Sequence, residues 1–432
     1  MKTLPPGLPR SLAAAIGIGL SAAFLLCGYE GVRSSSNTLF KEAYGKESLP
    51  LIMTASPFVL LALLYGYGVL LSKFGPRRTL FITTVLSGFG VELCYYLILD
   101  GHKPATAALY LIREAYIVIL IEQYWSFINS TLGLSTAKKL NGPICALGSC
   151  GGILGGYLVG TYSGMPALNA MTIGGYGPFE PLDTLALCVV SLIPAMLLGE
   201  VTYELCGEPQ PEAGTVRARH GPLALGELKR FPLLLCIFGI ILCTQAVAAM
   251  LDLTLQNQLS AAYPGKAQNK VSGNIYMWLN VAALVSQVVI TPLLCSLVRL
   301  SWIHFALPVL NLAAIALLLL HPSFENAVAA HVLFKTFDYS LFKSAKELLY
   351  IPFPFDVRYR AKEFIDAFGY RMGKGVATIP FIFWPGSLFV WVGVALGSAA
   401  GWLSLVIPLA RFWKRGPEST SMPAQTEAST PQ

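Results

Sequence analysis

A chain of 432 residues that is 55% hydrophobic and only 12% charged, with a net charge of +7, lies far from soluble domains, which carry about 25% charged residues. It could not cover its own core in water, so a soluble enzyme or a nucleic-acid-binding protein is excluded and an integral membrane protein is expected. The apolar runs are continuous rather than alternating, which selects helices over a β-barrel. Each crossing needs roughly 20 mainly apolar residues. Twelve are read, at 11–30, 49–71, 79–99, 105–131, 142–162, 183–203, 231–255, 274–296, 302–320, 325–344, 370–388 and 391–410.

The first run ends in LCGYEG, with no small-x-small cleavage site, so it is expected to remain as an uncleaved span. Between the second and third runs stands GVLLSKFGPRRTL, 68–80. It resembles the loop pattern of major facilitator transporters, with Lys73, Gly75, Arg77 and Arg78 in frame and Ser72 where the pattern has Asp. Such a loop makes a tight turn whose cations change partners between states, so these four residues are gating candidates. The fourth span carries Arg113, Glu114, Glu122, Ser126 and Asn129, the last three on one helix face. In the fifth, Gly148, Gly152, Gly156 and Gly160 recur every four residues, a seam for close helix packing.

The polar stretch 204–230, rich in Pro and Gly, divides the chain into 1–203 and 231–416, each with six spans. Six plus six around a linker is the layout of major facilitator transporters. Residues 417–432 read as a disordered tail. Lys and Arg in short loops set orientation. With the N-terminus inside, eighteen fall inside and six outside (Arg33, Lys41, Lys46, Lys103, Lys266 and Lys270), which places both termini and the linker in the cytoplasm.

Polar residues within spans are functional candidates by default. The seventh span has Gln245, Asp252 and Gln256 on one face, the eighth Asn280 and Gln287, and the tenth Lys335 and Asp338, close enough to pair. The five His and nine Cys form no metal-ligand set. GYRMGKG, 369–375, lacks the spacing of a phosphate loop. No catalytic residue, cofactor or metal is therefore expected.

KTFDYSLFKSAKELLYIPF, 335–353, resembles a segment of the ATP/ADP translocases of intracellular bacteria and plastids, D-Y-S-L-F-x-x-x-K-E-M-x-Y-I-P-L. Asp338 to Phe342, Lys346, Glu347 and Tyr350 to Pro352 match it. RAKEFIDAFGYRMGKG, 360–375, YWSFINSTLGLSTAKK, 124–139, and MLDLTLQNQLSAAYP, 250–264, are similar to further segments of that family. The chain departs from it in the first span, where VRSSSNTLF, 32–40, has Ser36 for the family's Lys and Asn37 for its Asp, and at Gln256, again for a Lys.

The resemblance implies a twelve-helix, monomeric major facilitator-fold transporter in the lipid bilayer of a bacterial cytoplasmic membrane. It implies alternating access, by exchange, for a nucleotide or another small anionic or phosphorylated metabolite. It also implies a substrate site with Arg33, Ser36, Asn37, Arg113, Glu114, Glu122 and Asn129 in the first half. Asp252, Lys335, Asp338, Lys346, Glu347, Arg371 and Lys374 belong to it in the second. Lys binds phosphate as a point charge and Arg grips it bidentately; the acids hold these cations while the cavity is empty. With cations missing at Ser36 and Gln256, the cargo is expected to carry fewer negative charges than ATP. Two rivals remain: a proton-coupled transporter of a less charged solute using Asp252 or Asp338, and a transport-inactive membrane scaffold, which would not need buried charge in both halves.

Overall fold

The computed structural model describes residues 9–162, 182, 184–209, 225–265, 267–354, 357–362, 364–384 and 388–415. Among them the first half comprises α1 (Arg10–Tyr44), α2 (Leu49–Leu99), α3 (Pro104–Thr131), α4 (Leu134–Tyr162) and α5 (Thr184–Cys206). The second comprises the short α6 (Leu225–Arg230), α7 (Pro232–Ala262), α8 (Ala267–Val285), α9 (Thr291–Leu297) and α10 (Leu300–Leu320), then α11 (Phe324–Phe337), α12 (Lys343–Tyr350), α13 (Gly369–Phe383) and α14 (Leu388–Arg415).

Among the described residues, nine stretches are long and apolar enough to cross a membrane on composition alone. One of these breaks at Gly75, whose φ of 78° lies in the left-handed region that glycine tolerates, so α2 makes two crossings. Two more crossings carry too much charge to count as apolar. One is α11, a π-helical turn at Asp338–Phe342 and α12 in series; the other is Val357–Ala361 and Phe364–Phe368, both π-helical, leading into α13. Twelve helical passages result, arranged as two six-helix halves.

Several expected boundaries move. The first span continues to Tyr44, the tenth to Tyr350, and the eleventh begins near 357 rather than 370. Arg33 and Lys41 therefore sit in α1, and Arg358, Arg360 and Lys362 in a helical stretch, so these five leave the loop count on both sides. Hydropathy misplaced the last two ends because Lys346, Glu347, Lys362 and Asp366 are buried against one another, not in water, and the first because Lys41 is held by Gln256 and Gln268. Of the expected linker, 204–209 and α6 are described; residues 210–224 and the tail 417–432 lie outside the described residues.

Helix α4 is wedged between α1 and α8. A methyl at Gly151 or Gly155 would collide with the α1 carbonyl oxygens of Ala23 and Cys27, while one at Gly156 would lie 2.8 Å from the Met277 amide of α8. Gly273 of α8 meets Gly160 across the same seam. Small residues thus bring the two halves together along α4 and α8, and Thr54 of α2 donates to the Gly375 carbonyl of α13 at 3.2 Å. Side chains such as Phe58, Phe89 and Trp278 are exposed on the outer surface, as a lipid-facing wall requires.

Gly151→Ala is expected to force α1 and α4 apart at a cost of about 1–3 kcal/mol, lowering the melting temperature of the purified protein. Gly66→Ala, at a position with nothing within 4 Å, should leave it unchanged; equal melting temperatures for the two variants would refute the seam.

Candidate functional site

A cavity of about 240 Å³ lies between the halves, lined by six cationic and five carboxylate side chains. From α1, Glu30, Arg33 and Asn37 face it. Arg33 stands 3.7 Å from Glu30 and its guanidinium lies 3.7 Å over the Tyr276 ring of α8. Asn280, also of α8, donates to Glu30 at 3.0 Å. On α3, Arg113 donates to Glu114 at 2.6 Å and to Asn37 Oδ1 at 3.0 Å. Arg371 of α13 reaches across to the Glu114 carboxylate at 2.5 Å and, through Nε, to its backbone carbonyl at 2.8 Å. Glu114 is therefore clamped by one arginine from each half.

In the second half Lys335 donates to Asp338 at 2.9 Å, and Lys374 lies 4.0 Å from Asp252. Each side chain of these pairs is mostly buried, so each charge is held by a partner rather than by water. Some polar atoms nevertheless lack a hydrogen bond: Arg33 Nη1, Asp338 Oδ1 and both amide atoms of Gln245. The cavity also presents tyrosine rings, including Tyr29, Tyr339 and Tyr370.

The π-helical turn Asp338–Phe342 shapes this wall. In an unbroken α-helix, eight residues would set Lys343 about 80° round from Lys335. The wider i→i+5 turn absorbs most of that rotation, and Lys335 and Lys343 both line the cavity. Its loosened Tyr339 carbonyl accepts from Gln287 at 3.1 Å, and Ser340 meets Ser286 at 2.8 Å from a second π turn, Ser286–Ile290.

Beside the cavity, toward the end of the bundle that carries the linker, six charges form a sealed cluster. Glu122 of α3 pairs with Lys343 and with Lys362. Glu347 lies 3.4, 3.6 and 3.5 Å from Lys343, Lys346 and Lys362. Asp366 lies 2.7 Å from Lys346 and 3.2 Å from Lys362, and accepts from Tyr350 at 2.9 Å. Asn129 of α3 donates to Glu347 at 2.8 Å. The three carboxylates are close enough to one another to hold a metal ion, but three ammonium groups already meet their charge. Around the cluster Ser126 donates to the Arg358 carbonyl at 2.9 Å, Tyr67 to the Tyr359 carbonyl at 3.3 Å and Arg360 to Ser72 at 2.9 Å, all between the halves.

Ten of the fourteen predicted site residues line the cavity. The exceptions are Lys346, Glu347 and Asn129, which belong to the sealed cluster, and Ser36, whose hydroxyl turns back to the Arg33 carbonyl at 3.4 Å. Of the loop cations, Arg77 pairs with Glu200 of the first half at 2.7 Å, and its amide donates to Glu208 at the start of the linker at 3.1 Å. Lys73 and Arg78 are exposed. Sequence reasoning left out Glu30, Lys41, Lys343, Lys362 and Asp366. Lys41 matters most to the expected charge deficit, because it donates to Gln256 at 3.0 Å and also to Gln268. A cation thus stands beside one of the two positions where the sequence lacks one.

Residues 102–407 match the TLC ATP/ADP transporter family. The chain belongs to this family. It is 20% identical over 335 residues to ADP,ATP carrier protein 3 of Rickettsia felis, a match spanning 67% of this chain and 65% of that protein, just under two thirds of its length. Among solved structures, a bacterial homologue of the iron transporter ferroportin in its outward-facing state is similar with a TM-score of 0.66 and 13% identity, covering 94% of this chain and 100% of that one. The major facilitator superfamily proton:xylose symporter XylE is similar with a TM-score of 0.61 and 16% identity, covering 95% and 98%. The fold is that of the major facilitator superfamily, and this TLC family member is a multi-pass membrane transporter.

Lys346→Ala should be strongly destabilising, by about 3–5 kcal/mol, because it leaves the buried cluster with three carboxylates and two ammonium groups, one charge uncompensated. Lys374→Ala, which breaks a 4.0 Å contact to a partly exposed Asp252, should cost about 1 kcal/mol or less. Thermal melts of the two variants check the order; the reverse order would contradict the cluster.

Proposed function

We propose that this TLC transporter exchanges a small organic anion across the membrane by alternating access, and that its cargo carries fewer negative charges than ATP. The observation that carries this reading is the cavity's charge: six cations against five carboxylates, every cation close to an acid. A cargo of charge near −1 or −2 balances the surplus with little rearrangement. A triphosphate would leave several negative charges facing the cavity's own carboxylates in a medium of low dielectric. The tyrosine-lined walls suit a planar ring, and about 240 Å³ sits below the ~300–1,000 Å³ of drug-sized sites. A nucleoside monophosphate meets the conditions of charge and planar ring.

The related Rickettsia protein is called an ADP,ATP carrier, which supports a nucleotide cargo here. Lys41 beside Gln256 makes up one of the two missing cations, leaving the other, at Ser36. One lost charged hydrogen bond is worth roughly 1.5–3 kcal/mol, or about one to two orders of magnitude in affinity. The charge bias of the loops supports a bacterial cytoplasmic membrane with both termini inside, and the protein acts as a monomer in this reading.

Uptake of labelled AMP, ADP and ATP into proteoliposomes, with and without internal counter-substrate, tests the proposal. AMP should exchange, and ATP should bind about ten- to a hundredfold more weakly. Lys335→Ala should abolish uptake while the protein stays folded. Binding of ATP more tightly than AMP would overturn the charge argument, and uptake indifferent to Lys335 would overturn the site.

A further inference from the structure

We propose that Lys343 and Lys362 form a second anion-binding position at the linker-end floor of the cavity, and that Glu122 occupies it as an internal stand-in for the cargo's phosphate or carboxylate. This rests on the reading of the cargo as a small organic anion. Among the described residues, the second half alone contributes Lys343, Lys346 and Lys362 to the cluster and two acids, Glu347 and Asp366. It is one negative charge short. Glu122, from α3, supplies that charge from the other half.

The shortage falls on particular groups. Lys346 has Asp366 at 2.7 Å within its own half. Among the described residues, the one carboxylate near Lys343 besides Glu122 is Glu347, at 3.4 Å. Lys343 and Glu122 also line the cavity, and the Lys343 side chain is 14% exposed, whereas Lys346 and Lys362 are sealed at 1% and 0%. The cavity therefore opens on the pair that joins the halves. An oxyanion descending from the arginines meets two ammonium groups already gathered around a carboxylate, a geometry that suits the oxygens of a phosphate or carboxylate equally.

Taking that position means displacing Glu122. The second half stays neutral, because the cargo supplies the missing charge, while Glu122 is released with α3. The ion pairs that Glu122 makes between the halves are then gone, and what remains there includes the weaker ties from Asn129, Ser126 and Arg360. Binding of an anion is in this way linked to parting of the linker end: the cargo holds a conformation in which its own contact replaces an internal one.

The test is calorimetric binding of AMP and of inorganic phosphate to the purified full chain. Glu122→Gln removes the internal competitor, so both probes should bind at least about tenfold more tightly than to the wild type. Adding Lys343→Gln should abolish the gain and take affinity below that of the wild type, because one of the two cations of the position is then gone. The double variant removes one charge of each sign, and it serves if the single variant does not fold: it should then bind both probes more weakly than the wild type. Unchanged or weaker binding by Glu122→Gln, or wild-type affinity in the double variant, overturns the inference while leaving the broader reading intact. Binding of neither probe by any form overturns both together.

Discussion

Charge neutrality without water is the constraint on which this molecule depends. Glu122, Glu347 and Asp366 face Lys343, Lys346 and Lys362 with almost no exposure, and removing one partner from such a group leaves a buried charge uncompensated. The same rule governs the cavity, where Glu114 is shared by Arg113 and Arg371 and Lys335 is matched by Asp338. In the proposed reading the cavity's one surplus cation takes up part of the cargo's charge, and further negative charge has to take the place of a carboxylate; the ion pairs of Glu122, which tie one half to the other, are the bonds proposed to yield.

Such bonds would be of no use unless the halves met closely. The glycines of α4 let it lie against α1 on one side and against α8 on the other, backbone to backbone. The π turn in the D-Y-S-L-F segment then aims Lys343 at the cavity, and the π turn in the neighbouring helix supplies Gln287 to satisfy the carbonyl that the wider turn loosens. Turns of this kind interrupt regular hydrogen bonding and are frequent at functional sites. Here the gain is geometric: charges that regular helical spacing would scatter are gathered on one wall.

The architecture was legible in the sequence because hydropathy and the polar break at 204–230 depend on composition, which local reading captures. So were most cavity residues, since an ionisable group within a span is rarely placed without purpose. The failures have physical causes. Lys343 was given no role because regular helical spacing takes no account of π turns, and Lys362 was counted with the loop cations because it falls in a stretch too charged to look buried. Their partner Glu122 lies more than 200 positions away in the chain, a pairing that only the fold reveals. Glu30 was passed over because its place in the cavity shows only through its partners, Arg33 one turn along α1 and Asn280 on α8. Lys41 was counted as a loop residue because α1 outlasts its apolar part by several turns.

Lys41 also exposes an asymmetry between the two ends of the bundle. Away from the linker, the part-buried Lys41 ammonium joins α1 to α7 and α8 by donating to the neutral oxygens of Gln256 and Gln268. At the linker end the joint is ionic and dry, and stranding one of its charges costs about 3–5 kcal/mol. Water can replace a glutamine oxygen on an ammonium with little loss. It cannot as easily enter the Glu122 cluster, where Lys362 and Asp366 are fully buried. Under the proposed stand-in for Glu122, the linker end opens at low cost only when an anion is present, whereas the end away from the linker is held by neutral partners. In the exchange proposed for this protein, that inequality would hold back a crossing without cargo, through the charges that the cargo satisfies.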